Sequence, residues 1–302
     1  MRPWLLPALA PLVLACGTKP VAKPLQPAAA PAGHRYLAGG DSRNDKSHVL
    51  PWAFAEAKAR QASGFFFLGD MEITPELDKA FREELAQLDP VPFFPVLGNH
   101  EIQNFGFMPI GVPAAEKAFR ARFLDRPRTP VKSALADKVV YSVDLPGGLH
   151  FVALDNVTQH GFGADQMAWL ADDLTRAHAD PATKHIVVGM HKPLAHNGFS
   201  THGMEHDGPA ALADSDAALA LFQKNAVSLI VMSHVHQFAK LELGGIPAYV
   251  TGGLGAPLDA APPEHAFHHF LQLDVTDTAL EVTVVRFGGQ QTVATEPEDE
   301  PE

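Results

Sequence analysis

The sequence has one cysteine in 302 residues, Cys16. Disulfides and thiolate metal cages both need more than one, so neither holds this chain together. Any metal ion must then be bound by His, Asp, Glu or Asn side chains. Basic residues are the scarcer charge: 23 Lys and Arg stand against 35 Asp and Glu, a formal net charge of −12. An acidic chain repels phosphate polymers, so no specific nucleic-acid partner is expected. Internal repeats and any long apolar run suited to a membrane span are also missing from the body of the chain. Tyrosine and tryptophan are few, three of each, whereas histidine is plentiful at sixteen. That imbalance hints at metal chemistry.

Apolar residues make up 46% of the chain, enough to build a sizeable core. Residues 1–15 hold Arg2 and an apolar stretch too short to cross a bilayer, which reads as a signal peptide. It ends in Val13-Leu14-Ala15-Cys16, which resembles the lipobox of bacterial lipoproteins. The resemblance implies cleavage before Cys16, acylation of that cysteine and attachment to a membrane of the cell envelope; an ordinary signal peptide with an incidental cysteine implies secretion. Residues 16–33 are rich in Pro and Ala and read as a semi-rigid tether. Residues 34–289 read as one domain, and residues 290–302, with Glu296, Glu298, Asp299, Glu300 and Glu302, as an acidic tail without a core.

Within the domain, short apolar runs alternate with helical patterns. Strands are expected at Tyr36–Gly39, Phe65–Leu68 and Phe93–Leu97, with helices over Val49–Gln61 and from an N-cap at Thr74 with Pro75 following. This β-α-β-α-β order predicts a parallel sheet. Further strands are expected at Val139–Val143, His150–Leu154, His185–Val188, Ser228–Met232 and Ala248–Val250, with a helix over Gln166–His178. Phe267–Val275 and Ala279–Phe287 alternate as an antiparallel hairpin.

Polar residues gather just past the strand ends. Asp41, Asp70 and Asn99 each follow one of the first three strands, and His191, His234 and His236 follow later ones. Ligands of open α/β sheets bind at that edge. Six oxygen and nitrogen donors delivered there suit two closely spaced ions, which could clamp a phosphoryl group and activate water.

The blocks Asp41, Gly69-Asp70, Gly98-Asn99-His100-Glu101, Gly189-Met190-His191 and His234-Val235-His236, in that order, resemble the calcineurin-like metallophosphoesterase superfamily, which includes purple acid phosphatases and class III phosphodiesterases. The resemblance spans about residues 34–288. It implies a four-layer α/β/β/α sandwich of two mixed sheets and hydrolysis of small phosphate esters, mono- or diester, with two divalent ions or an Fe(III)/divalent pair (Mn, Zn or Fe). It implies Asp70 as the bridging ligand, Asp41 and His236 on a first metal, and Asn99, His191 and His234 on a second. His100 would act on the substrate, oriented by Glu101, and His202 would be a further substrate-side histidine.

Two positions depart from the family pattern. The first block reads Asp41-Ser42-Arg43, so an imidazole on the first metal is missing, and Ile73 stands where purple acid phosphatases carry tyrosine. The first site is therefore expected to be weak, more hydrated, or completed by His160 or His48, and Arg43 is expected either to bind the substrate phosphate through its planar fork or to sit in a structural ion pair. A non-catalytic, tethered envelope binding protein with a degraded first site is the alternative. Gly252, Gly253 and Gly255 are expected to bring a loop close to the metal edge, or to form a tight turn. His268 and His269 are expected to be structural, and His34, His150, His178, His185, His196, His206 and His265 to lie at the surface or at edges.

Overall fold

The computed structural model describes residues 33–43, 45, 48–71, 75–103, 112–124, 131–136, 138–158, 161–199, 202–288 and 291–293. The expected signal peptide, Cys16, the Pro/Ala tether, Ile73, His160 and the acidic tail lie outside them. No helix among the described residues is long and apolar enough to cross a membrane.

The strands are β1 (His34–Gly39), β2 (Gly64–Phe67), β3 (Phe93–Pro95), β4 (Ser133–Ala134), β5 (Tyr141–Leu145), β6 (Leu149–Ala153), β7 (His185–Gly189), β8 (Leu229–Met232), β9 (Phe238–Leu243), β10 (Ile246–Thr251), β11 (His269–Val275), β12 (Leu280–Arg286) and β13 (Gln291–Val293). The helices are α1 (Val49–Ala59), α2 (Pro75–Gln87), α3 (His100–Gln103), α4 (Val112–Phe119), α5 (Gly163–Ala179) and α6 (Pro209–Lys224), with a π-helical turn at Arg120–Leu124 and a 3₁₀ turn at Met204–Asp207. One sheet has the order β13-β12-β11-β1-β2-β3 and the other β4-β5-β6-β7-β8-β10-β9. Strands β1, β2 and β3 are parallel, as are β6, β7, β8 and β10. The hairpin partners β11, β12 and β13 run antiparallel, so both sheets are mixed.

Alternation of side chains across each strand assigns the layers. On β2, Phe65 and Phe67 turn toward Phe54 of α1 and Phe81 of α2, while Phe66 turns the other way and stacks on Phe151 of β6 at 4.0 Å. On the second sheet, Phe151, Val187, Leu229 and Val231 join the core between the sheets. Their neighbours Val152, Val188, Ile230 and Met232 pack with Leu170 and Leu174 of α5 and Phe222 of α6. The order is helices, sheet, sheet, helices: the expected four-layer sandwich.

Several boundaries differ from expectation. The strand expected at Val139–Val143 begins at Tyr141, because its register follows the hairpin that pairs Leu145 with Leu149 across Gly147 and Gly148. Helix α5 starts three residues early, at Gly163. Helix α6 was not anticipated. Its buried face is Ala211, Ser215, Ala218 and Phe222, and small residues on every side blur the apolar stripe that reveals a helix. His150, expected at the surface or an edge, is only 1% exposed. Its ring bridges Asp144 at 2.7 Å and Asp173 at 3.0 Å, tying β5 to α5.

Candidate metal centre

The parallel strands of both sheets point their C-terminal ends to one edge, and the six candidate ligands follow those ends. Asp41 lies beyond β1, Asp70 beyond β2, Asn99 beyond β3, His191 beyond β7, and His234 and His236 beyond β8. The chain turns sharply at each point. Asp41, Asp70 and His234 have φ of 61°, 59° and 70°, left-handed values that cost of order 1 kcal/mol each and persist only where surrounding bonds enforce them. The loops enforce them mutually: Asp41 N donates to Gly69 O at 3.0 Å, and Arg43 N to Asp70 O at 2.9 Å.

Four donors converge at His191. Its Nε2 lies 3.0 Å from Asn99 Oδ1, 3.1 Å from His234 Nδ1 and 3.3 Å from Asp70 Oδ1. Leu68 O, a pure acceptor, sits 2.7 Å from His191 Nδ1. That nitrogen therefore carries the hydrogen and leaves the Nε2 lone pair for the cluster. Burial would lower the His191 pKa, but the charge and hydrogen bond of Asp70, together with Asp41, outweigh it and hold it up at about 9. Burial, then His191, pushes His234 down to about 2. Buried carboxylates thus call for positive charge here, as a divalent cation would supply.

The adjoining group is Asp41, Asp70 and His236, whose ligand atoms lie within 4.8 Å of one another. Asp41 Oδ2 accepts from Ser233 Oγ and, at 2.8 Å, from His234 N. Asp41 Oδ1 is fully buried with no hydrogen-bond partner and faces His236 Nε2 at 3.6 Å. His236 Nδ1 donates to Pro257 O at 2.8 Å, which again leaves Nε2 for a ligand. An orphaned carboxylate oxygen beside an oriented imidazole is what a cation would satisfy. The donor sets of both groups, carboxylate, amide oxygen and imidazole, fit divalent transition metals.

The remaining predicted residues surround these groups. His100 is half-buried, its Nε2 3.8 Å from Asp70 Oδ2 and its backbone N–H donating to Asp70 Oδ1 at 2.9 Å. His202 is exposed on a loop, its ring 5.9 Å from that of His234. Arg43 is half-buried on the loop after Asp41. His48 is exposed before α1 and belongs to neither ligand group. Gly252 closes in as expected: a Cβ there would fall 2.1 Å from Val235 O and 2.7 Å from Asp41 Oδ2.

Residues 38–238, well over half of the chain, match the model of the calcineurin-like phosphoesterase family. The chain belongs to this family. Purple acid phosphatase 23 of Arabidopsis thaliana is 27% identical over 195 residues, covering 62% of this chain and 38% of that protein. The chain therefore spans well under half the length of that relative. Among solved structures, the purple acid phosphatase PPD1 from yellow lupin seeds superposes with a TM-score of 0.60 at 16% identity, over 84% of this chain and 51% of that one. A dimetal phosphatase from Danio rerio gives 0.61 at 16% identity, over 87% and 98%. At such identities these two likenesses concern the fold. The family is one of metal-dependent phosphoester hydrolases, and this member carries two candidate ligand groups that share Asp70.

Three features of this site are not legible in residue order alone. Glu101 does more than stand beside His100: its carboxylate accepts from the backbone N–H of Gly98 at 2.7 Å, Asp70 at 3.0 Å and Met71 at 2.7 Å. It thereby ties the Asn99 loop to the Asp70 loop. Gly98 allows the approach, since a Cβ there would lie 2.2 Å from Asp70 N. Asp259 accepts from His236 N at 3.1 Å and helps Pro257 orient that ring. A Glu in the first turn of a helix often reaches back to upstream N–H groups, which was the available signal for Glu101. Asp259 offered none.

Proposed function

We propose that this protein hydrolyses phosphoric esters of small molecules, monoester or diester, at a two-metal site on the shared sheet edge. The observation that carries this reading is the pair of ligand groups joined through Asp70. Asp70 would be shared by both ions, Asn99, His191 and His234 would hold one, and Asp41 and His236 the other. When bound, the ions supply Lewis acidity and an activated water for in-line attack. His100, beside Asp70 and half-buried, would hold a proton for the leaving oxygen or steady charge on the phosphoryl group. Arg43 and His202 would bind the phosphate group.

The two shells are unequal: four protein atoms gather at His191 and three at Asp41 and His236. The His191 group should therefore hold its ion more tightly, with Mn, Zn and Fe all suited to both. Ile73 supports no tyrosinate on iron. On the sequence pattern alone, we also propose that acylated Cys16 anchors the domain at the cell envelope. Cys16→Ser should then release it from membranes, and unchanged partition would end that idea.

The main test is hydrolysis of p-nitrophenyl phosphate and bis(p-nitrophenyl) phosphate after chelation and reloading with Mn, Zn or Fe. At least one ester should be cleaved, and Asp70→Asn and His236→Ala should abolish turnover. Failure to cleave either ester with any of the metals would favour a binding protein instead.

A further inference from the structure

Lys192 directly follows His191, and its backbone is fixed on both sides by one buried side chain beyond β6. Its N–H donates to Asn156 Oδ1 at 3.1 Å, and its carbonyl accepts from Asn156 Nδ2 at 2.8 Å. From that fixed point its side chain crosses to Asp207, the last residue of the 3₁₀ turn, with Nζ 2.6 and 2.5 Å from the two carboxylate oxygens. Each side chain is only 14% exposed. The two ends of the segment between them therefore meet. A backbone bond, Met204 N to Pro193 O at 3.0 Å, closes it alongside the ion pair.

His202 stands on this loop, immediately before buried Gly203. A Cβ at Gly203 would fall 2.3 Å from Glu205 Oε2 and 2.7 Å from Asn197 Nδ2, so the side chains of Glu205 and Asn197 pack closely against the residue that joins His202 to the 3₁₀ turn. His202 lies two residues before the 3₁₀ turn that Asp207 ends. We propose that the Lys192–Asp207 pair is a positioning device that clamps this loop so that His202 meets a phosphate group bound at the metal edge. Lys192 and Asp207 touch no substrate in this arrangement; they act through His202. The inference rests on the hydrolase reading for the identity of the anion. The rival is that packing of α6 against the turn fixes the loop and the ion pair is incidental.

Calorimetric titration of inorganic phosphate into the metal-loaded protein distinguishes them, because it needs no turnover. Asp207→Asn should raise the phosphate Kd about tenfold, as expected for losing one charge-assisted contact. Lys192→Arg, which keeps the pair, should bind phosphate as the wild type does. His202→Ala should weaken binding to a similar degree, and adding Asp207→Asn to His202→Ala should cause no further loss. A metal content equal to wild type in each variant shows that the ligand groups are intact. Wild-type affinity in Asp207→Asn, losses that add in the double variant, or no phosphate binding by the wild type would each overturn the inference. Ester cleavage assayed on the same samples reports separately on the hydrolase reading: pair-dependent phosphate binding without cleavage sinks that reading and leaves the clamp standing.

Discussion

Replacing Glu101 with alanine should damage the centre without removing a proposed ligand. Its carboxylate is 4% exposed and accepts three backbone N–H groups, from Gly98, Asp70 and Met71. Each buried donor left without a partner costs about 1–3 kcal/mol. Some of that is offset, because the substitution also removes a buried carboxyl whose pKa is pushed up to about 7 by burial, with the charge of Asp70 adding to it. Partial relaxation and entering water reduce the cost further, leaving about 2–4 kcal/mol. At roughly 2–4 °C per kcal/mol for a domain of this size, the melting temperature should fall by about 5–15 °C. Glu101→Gln keeps one acceptor oxygen but turns an NH₂ group toward a donor, so its loss should be about half as large. Differential scanning calorimetry measures the shift, and metal analysis on the same samples should show depleted ions, because Asp70 loses its backbone anchor. Melting within about 2 °C of wild type with full metal content would refute the reasoning.

Other consequences can be tested on stability. At His150 burial opposes the charge, but the hydrogen bonds of Asp173 and Asp144 outweigh it and hold the pKa above the usual imidazole value. This raised value adds stability that is fully present below the unfolded imidazole pKa and is lost as pH rises through the folded one. The gap in urea midpoint between wild type and His150→Gln should therefore be wider at pH 6 than at pH 9; an equal gap at both would contradict it. Stripping metal should lower the melting temperature by several degrees, since an ion bound to the folded state at 1,000 times its Kd adds about 4 kcal/mol. A chelator that leaves the melt unchanged would argue against both ligand groups. Asp259→Ala should loosen the ion at Asp41 and His236 while sparing the one at His191, measured as stoichiometry by native mass spectrometry; loss of both ions, or of neither, would speak against an orienting role.

Much of this architecture could be read from residue order. The apolar runs ending in Asp41, Asp70 and Asn99 fixed three parallel strands and one functional edge, because short βα units leave little freedom of topology. The candidate ligand residues stood out because carboxylates, an amide and imidazoles all followed strand ends. The supporting shell was much less legible. Glu101, Asp259 and Asn156 act through hydrogen bonds to backbone groups 20 to 40 residues away, and nothing in residue type marks such a partner. Lys192 and Asp207 read as ordinary loop charges until the fold closes the chain between them. His150 was misplaced for a similar reason: the carboxylates that make its burial tolerable lie on β5 and α5.

In the proposed hydrolase, one sheet edge holds two ions of unequal affinity around Asp70. Anomalous diffraction from crystals grown with Mn tests it most directly. Two peaks roughly 3.5–4 Å apart are expected, the stronger among Asn99, His191 and His234 and the weaker between Asp41 and His236, with Asp70 touching both. A peak bound by other residues, or none at this edge, would contradict the account.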